Sequence, residues 1–362
     1  MRVSALTFGA CLCVLIACTA NPPPFDEVKW RRDVENQKRE MLYAPHNHDG
    51  RFFNPWMPME RGGFGRFLSW KFTAEERIYT EDEKAFMPTS VPNMAERIQA
   101  MPEGDLIAWV GHSTFLIRIN GEYWLTDPIF SERALVIKRK TPPAITTEEL
   151  KGLGAKVNVI VSHNHYDHFD KASIRALPDN TQIFVPLGLK GQVQEGTGKK
   201  RVTEMDWWES ADAGNGITVT CLPAQHWSRR ISQGINKSLW ASFLIRTPKV
   251  SIYYGGDSGY FIGYGEIGHR FPGIDYALLP VTAYHPRWFM HYAHIDAKEA
   301  LDAFADLGAR HFIPTQWGTF PLGDEPVGFA IFDLKKQIIE KKIDPGKVII
   351  MDLGGIIAHQ RK

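Results

Sequence analysis

With 362 residues, 44% of them hydrophobic, the chain can bury a sizeable core as one large domain or two ordinary ones, so it is neither disordered nor fibrous. Lys and Arg total 42 against 41 acidic residues, a balance that points to no nucleic acid and to no strongly anionic macromolecule as partner. Any steering of a charged ligand must be local.

The N-terminus differs from the rest. Arg2 precedes an apolar run from Leu6 to Ile16, too short to span a bilayer and shaped like a secretory signal over residues 1–17. The run ends in Leu15-Ile16-Ala17-Cys18, which resembles a bacterial lipobox, with Cys18 as the lipid-modified first residue of the mature chain. That resemblance implies a lipoprotein of the bacterial cell envelope, anchored in a membrane and facing the periplasm from the outer membrane in a Gram-negative cell. Once Cys11 and Cys13 are removed and Cys18 is acylated, Cys221 is the only thiol left, so no intrachain disulfide can form. Residues 18–100 are rich in Pro, Arg and aromatics with weak periodicity, and are expected to form a linker and an arm that wraps a domain. Within the arm, the stretch 51–72 interleaves aromatic and basic residues, best read as rings packed on the domain with charges facing water.

Residues 101–358 carry the domain itself. "LIAWVGHSTFLIRIN" and "EYWLTDP" flank Asn120-Gly121, a strong hairpin signal. Further β-rich runs follow at "VNVIVSH", "QIFVP", "ITVTCLPAQH", "WASFLIRT", "KVSIYYGGD", "YALLPVT", "HFIPTQW" and "KVIIMDL". The clearest helix is "DAKEALDAFADLGA", with Asp296 as cap, Glu299 three residues on, and Gly308 as stop. Early hairpins and later crossovers predict a mixed α/β architecture of packed layers.

Within the strand-rich part, "SHNHYDH" at 162–168 sets three histidines and an aspartate at a strand end. His163 and His165, two apart in an extended segment, point to the same side, and Asp167 and His168 follow as the chain turns. Imidazole nitrogen and carboxylate oxygen at this spacing offer two adjacent metal pockets. His226, Asp257 and Gln316, each at the end of another β-rich run, are candidate further ligands.

Together with "LTDPIFSERA", "FVPLGL", "DWWE", "QHW", "GGDSGY", "AYHPRWFM" and "QWGTF", this pattern resembles the metallo-β-lactamase superfamily, and more specifically the N-acylphosphatidylethanolamine-hydrolysing phospholipase D family and its bacterial relatives, over roughly residues 100–320. The resemblance implies a four-layer αββα sandwich and two zinc ions. It makes His163, His165 and His226 ligands of the first ion, Asp167 and His168 ligands of the second, and Asp257 the bridge and central catalytic carboxylate. Gln316 departs from the pattern, since relatives usually place a histidine there as last ligand of the second ion. Either Gln316 coordinates a less zinc-like ion, or a neighbouring histidine substitutes, or one ion is held; the expectation adopted is a retained pair with a weakened second site.

Two divalent ions, two aspartates and a bridging hydroxide leave a charge of about +1, which favours an anionic phosphodiester over a neutral amide. The expected activity is hydrolysis of a phosphodiester in N-acyl phosphatidylethanolamine or a related glycerophospholipid by a metal-activated water. The alternatives are a hydrolase of a lactone, β-lactam or other carbonyl substrate on the same site, and a degenerate lipid-binding lipoprotein. Asp127 resembles the family aspartate that orients a ligating histidine; otherwise it forms a turn before Pro128. His294 matches a family histidine near the reacting group, expected to donate a proton to the leaving oxygen, with packing as the competing role. His112 either approaches the site or sits satisfied in the core. Tyr284, Arg287 and Trp288 are expected to frame the phosphate or headgroup, Arg287 alternatively anchoring surface packing. Ser258 in "GGDSGY" mimics a nucleophile loop but lacks its following glycine, and Met290 is read as core. The partners implied are a phospholipid substrate and a membrane, with a homodimer left open.

Overall fold

A computed structural model describes residues 24–59, 69–70 and 77–359. The signal segment, Cys18 and most of the aromatic stretch beyond Met59 lie outside the described residues.

Period-two alternation builds the layers. In β1 (Leu106–Gly111), Ile107 and Trp109 enter one buried cluster while Leu106, Ala108 and Val110 enter another, as befits a strand covered on both faces. The same division runs through β2 (Thr114–Ile119), β3 (Glu122–Thr126) and β4 (Val157–Ile160): Phe115, Ile117, Trp124 and Ile160 face one way, Leu116, Leu125 and Val159 the other. With β5 (Gln182–Pro186), β6 (Val202–Met205) and β13 (Ile356–Ala358) they form a seven-stranded sheet in the order β6-β5-β4-β3-β2-β1-β13. The second sheet runs in sequence order through β7 (Ser210–Gly214), β8 (Ile217–Leu222), β9 (Ser242–Arg246), β10 (Ser251–Tyr254), β11 (Tyr276–Pro280) and β12 (His311–Thr315). One cluster joins both sheets to the helices Gly263–Arg270, Ala297–Leu307 and Phe329–Glu340. The other sets Met94, Ile98, Leu150, Ile174 and Val193, from helical segments, on the outer face of the first sheet. The stack is helices, sheet, sheet, helices.

Local signals account for the details. Asn120 and Gly121 take φ of 49° and 78° between paired Ile119 and Glu122, the two positive values that a two-residue hairpin of this twist demands. Asp296 and Glu299 cap each other reciprocally, and Gly308 ends the helix at φ 60°. Two expectations need correction. The run 106–120 breaks at His112–Ser113 into two antiparallel strands, with His112 at φ 51°. "KVIIMDL" forms no strand: isolated bridges join Val348 to Phe312 and Leu353 to Ser90, and the segment packs apolar side chains as coil beside the sheet edge before β13 begins.

The arm is fastened at many points. Trp30 Nε1 donates to buried Glu299 at 2.7 Å, Arg31 pairs with Asp302 at 2.7 Å, and Arg39 and Tyr43 both reach Glu266. Asn54 Nδ2 donates to the His226 carbonyl at 3.1 Å, and Trp56 Nε1 to Gln225 at 3.0 Å. The arm thereby buttresses a loop of the site.

Candidate metal centre

Strand ends and the turns beside them deliver the site. His163 and His165 follow β4, His226 follows β8, Asp257 follows β10, Gln316 follows β12, Asp127 follows β3, and His112 occupies the turn between β1 and β2. Donor atoms of His163, His165, His226 and Asp257 all lie within 4.8 Å of one another. His163 Nε2 and His226 Nε2 stand 2.8 and 3.2 Å from His165 Nδ1, and 3.7 and 3.5 Å from Asp257 Oδ2. The remaining nitrogens of two of these rings are taken, His163 Nδ1 by Ser162 Oγ at 2.9 Å and His226 Nδ1 by the Ala293 carbonyl at 3.0 Å. Imidazole lone pairs turned toward one another and toward a carboxylate repel unless a cation sits among them, so three nitrogens and one oxygen fit a metal ion.

A second group adjoins the first. His112, Asp167 and His168 also place donor atoms within 4.8 Å of one another, and His168 Nε2 stands 3.1 Å from Asp167 Oδ2 and 3.2 Å from Asp257 Oδ1. Asp257 therefore faces both groups, one carboxylate oxygen toward each. Among the described residues His165 Nε2, His168 Nε2 and His294 Nδ1 are buried without a hydrogen-bond partner, a state that buried polar groups rarely keep without an ion or water. Asp167 and His294, 14% and 16% exposed, mark the side on which the centre opens. Trp227, edge-on to His165 at 4.6 Å between centroids, stands beside that opening.

Asp127 is fully buried and accepts four hydrogen bonds: from Ser162 N at 2.6 Å, Ser162 Oγ at 2.5 Å, His168 Nδ1 at 2.6 Å and Tyr254 Oη at 2.5 Å. Three of these bonds converge on Oδ2 and one falls on Oδ1, so Asp127 acts by fixing the His168 tautomer with Nε2 turned to the centre. It also forms the turn, at φ 34°. Gly256, at φ 59°, lets the chain bend into Asp257, and a Cβ there would lie 2.7 Å from Ser162 Cβ. Gly256→Ala is expected to cost about 1–3 kcal/mol and to weaken metal binding by displacing Asp257; a wild-type melting temperature and metal content would contradict this.

Burial sets the protonation states. It lowers the His163, His226 and His294 rings and takes His165 down to about 4. His168 goes the other way: burial alone would lower it, but Asp257, Asp167 and Asp127 hold it well above its ordinary value. Burial likewise pushes the Asp257 and Asp167 carboxyls up, yet the surrounding histidines, His168 foremost, bring both well below the usual range. For His165 the unfolded chain binds more protons than the folded one between about 4 and 6.5, so its contribution to stability falls as pH drops through that window, and the other depressed rings act in the same direction. His168 contributes stability fully present below 6.5 and lost as pH rises through its folded value. Chelator-treated protein is expected to show no ring titration near 6.5 for His163, His165 or His226 by NMR; an inflection there would contradict the burial argument.

Several expected residues serve other ends. Gln316 was expected to coordinate, but its side-chain NH2 donates to Asp257 Oδ1 at 2.6 Å and approaches the Gly256 carbonyl at 3.4 Å. Turning the amide would set its oxygen against those two acceptors, so the NH2 end faces Asp257 and orients its carboxylate. Tyr284 is buried with its hydroxyl donating to Asp333 at 3.0 Å, and does not frame an open pocket. Arg287 is spent on Glu299 at 2.8 Å and on the His294 carbonyl at 3.0 Å, which makes it an anchor of the His294 loop. Trp288, on the short helix Arg287–Met290, packs edge-on to Phe289. Met290 is core. Ser258 is buried, accepting from Gln225 N at 2.9 Å and donating to the Gly259 carbonyl at 2.7 Å, as its exclusion as nucleophile requires. Tyr254, Ser162 and Asn54 were missed by sequence reading. Only "SIYYGG" preceding Asp257 hinted at Tyr254.

Residues 123–317 match the beta-lactamase superfamily domain, a span that holds both donor groups except His112, which precedes it. The chain belongs to the metallo-β-lactamase superfamily. As a member of the superfamily it is a metal-dependent hydrolase of that fold. It is 34% identical, over 70% of its length and 75% of the relative's, to the N-acyl-phosphatidylethanolamine-hydrolyzing phospholipase D 1 of Caenorhabditis elegans. An uncharacterized protein of Mycobacterium tuberculosis is 33% identical over 79% of this chain and 77% of its own. The superfamily fold recurs in a metallo hydrolase of Ignicoccus hospitalis, with a TM-score of 0.56 and 21% identity over 71% of this chain and 99% of that one.

Proposed function

We propose that the chain is a zinc-dependent phosphodiesterase of the phospholipase D type, acting on N-acyl phosphatidylethanolamine or a related glycerophospholipid. The observation that carries this is the paired donor groups sharing Asp257, in a chain similar over most of its length to a phospholipase D with that named substrate. His163, His165 and His226 with Asp257 would hold one ion, and Asp167 and His168 with Asp257 the other. The first set, three imidazole nitrogens and one carboxylate, suits zinc. When bound, the ions lower the pKa of water and neutralise charge on phosphoryl oxygens.

The chain's own groups do the rest. Asp127 and the Ala293 carbonyl keep His168 and His226 in single orientations, so the site is preorganised. Among the described residues Asp167 and Asp257 bring negative charge to the metal positions and Asp127 adds a third behind His168, still fewer charges than two divalent cations carry, which leaves a positive field for a phosphodiester. His294 Nδ1 lies 4.0 Å from Asp257 Oδ2, buried and unpartnered, with its loop held by Arg287. It is placed to pass a proton to the leaving alcohol. His294→Gln is expected to cut turnover about 10²–10⁴-fold with metal content unchanged; loss of metal in this variant would make His294 a ligand.

Anchoring through Cys18 would set the opening beside its lipid substrate, and Cys18→Ser would then release the protein from the membrane fraction. The deciding assay offers purified, zinc-loaded protein both N-acyl phosphatidylethanolamine and a lactone. Release of phosphatidic acid is the expected result, and turnover of the lactone alone would overturn the lipid reading.

A further inference from the structure

We propose that His112 Nε2 is the ligand that completes the second cation site, in place of Gln316. This rests on the reading that the centre binds a pair of divalent cations. Asp167, His168 and Asp257 supply one nitrogen and two oxygens to the second position, against the three nitrogens and one oxygen offered at the first. Gln316 spends its NH2 end on Asp257 Oδ1 and the Gly256 carbonyl, and its neutral amide oxygen is a weaker zinc ligand than an imidazole nitrogen.

His112 is fully buried, and its donor atom lies within 4.8 Å of those of Asp167 and His168. Its Nδ1 faces the Gln316 main-chain carbonyl at 3.3 Å, an acceptor only, so a neutral ring must carry its hydrogen on Nδ1. The lone pair on Nε2 then points at Asp167 Oδ2, 3.2 Å away. Two acceptors aimed at each other are what a ligand pair presents to a cation, with the backbone contact at the far nitrogen fixing the tautomer. The backbone is built around this placement. Thr319 Oγ1 accepts the His112 N–H at 2.9 Å, and the His112 carbonyl accepts from Trp109 Nε1 at 2.9 Å and from Gln316 N at 3.0 Å. Gln316 thus becomes a positioning residue, holding Asp257 with its side chain and His112 with its main chain.

The test is metal stoichiometry and affinity on the full chain, by elemental analysis after zinc loading and by titration of the cobalt(II) form, whose absorption reports each site. Wild type, H112Q, H112N and Q316A are compared, each checked for folding by circular dichroism. Wild type is expected to take up about two ions, while H112Q and H112N keep the first ion and bind the second about 100-fold more weakly or worse. Q316A is expected to retain both ions, the second weakened by no more than about 10–100-fold, the scale for losing a residue that orients a ligand. Folded H112Q and H112N chains that hold two ions as tightly as wild type would overturn the role of His112 and leave the pair standing. A wild-type chain that takes up one ion would overturn the pair itself, and the proposal with it.

Discussion

Asp257→Asn is expected to strip the protein of stably bound metal and to cut hydrolysis by on the order of a thousandfold or more. The substitution keeps the side chain's shape and removes its charge. In the native chain Oδ2 faces His163 and His226 at 3.7 and 3.5 Å while Oδ1 faces His168 at 3.2 Å and accepts from Gln316 at 2.6 Å. Asp127, which also lies within 4.8 Å of donor atoms of His163 and His168, spends its oxygens on Ser162, His168 and Tyr254, so Asp257 is left to serve both groups. An amide offers one neutral oxygen, so at least one position loses its anionic ligand and both lose charge balance. Several kcal/mol of charge stabilisation then disappears, and each 1.36 kcal/mol is tenfold in rate. Elemental analysis beside a phospholipid cleavage assay checks this. A variant that kept both ions and lost only activity would restrict Asp257 to proton transfer.

Asp127→Ala is expected to have the largest effect on stability, about 3–5 kcal/mol, the scale for removing one partner of a buried charged pair. Four donors lose their acceptor at once, and His168, held well above its ordinary pKa partly by this carboxylate, loses a compensating charge in a fully buried place. Asp127→Asn should cost less stability but still 10–100-fold in affinity for the second ion, because an amide nitrogen would be set against donors and the ring freed to turn. Denaturant unfolding with and without zinc separates the two effects. A destabilised Asn variant with unchanged metal affinity would reduce Asp127 to a turn former.

Both expectations depend on contacts between residues far apart in the chain, and that is where sequence reading ran out. The hairpin at Asn120-Gly121, the capped helix ending at Gly308, and most strands were legible, because each is dictated by neighbours a few residues apart. "KVIIMDL" misled because apolar β-branched residues suit coil packing on a sheet edge as well as they suit a strand. Asp127 was recognised through the resemblance carried by "LTDP". The role of Tyr254, which donates to it across 127 positions of chain, was not.

By itself, the sequence determined the chemistry on offer. Imidazoles at 163, 165, 168 and 226 and carboxylates at 167 and 257, all at strand ends, are donor types and spacings that few structures need for packing alone. The tertiary structure alone decided which atom of each faces the centre. Gln316 and His112 look interchangeable as candidates on paper. Their difference arises because the Gly256 carbonyl and Asp257 present two acceptors to the amide, whereas the Gln316 carbonyl takes one imidazole nitrogen and leaves the other for the centre. Hydrogen-bond direction is fixed by partners brought together only when the strand ends and the β1–β2 turn meet, so no local pattern encodes it.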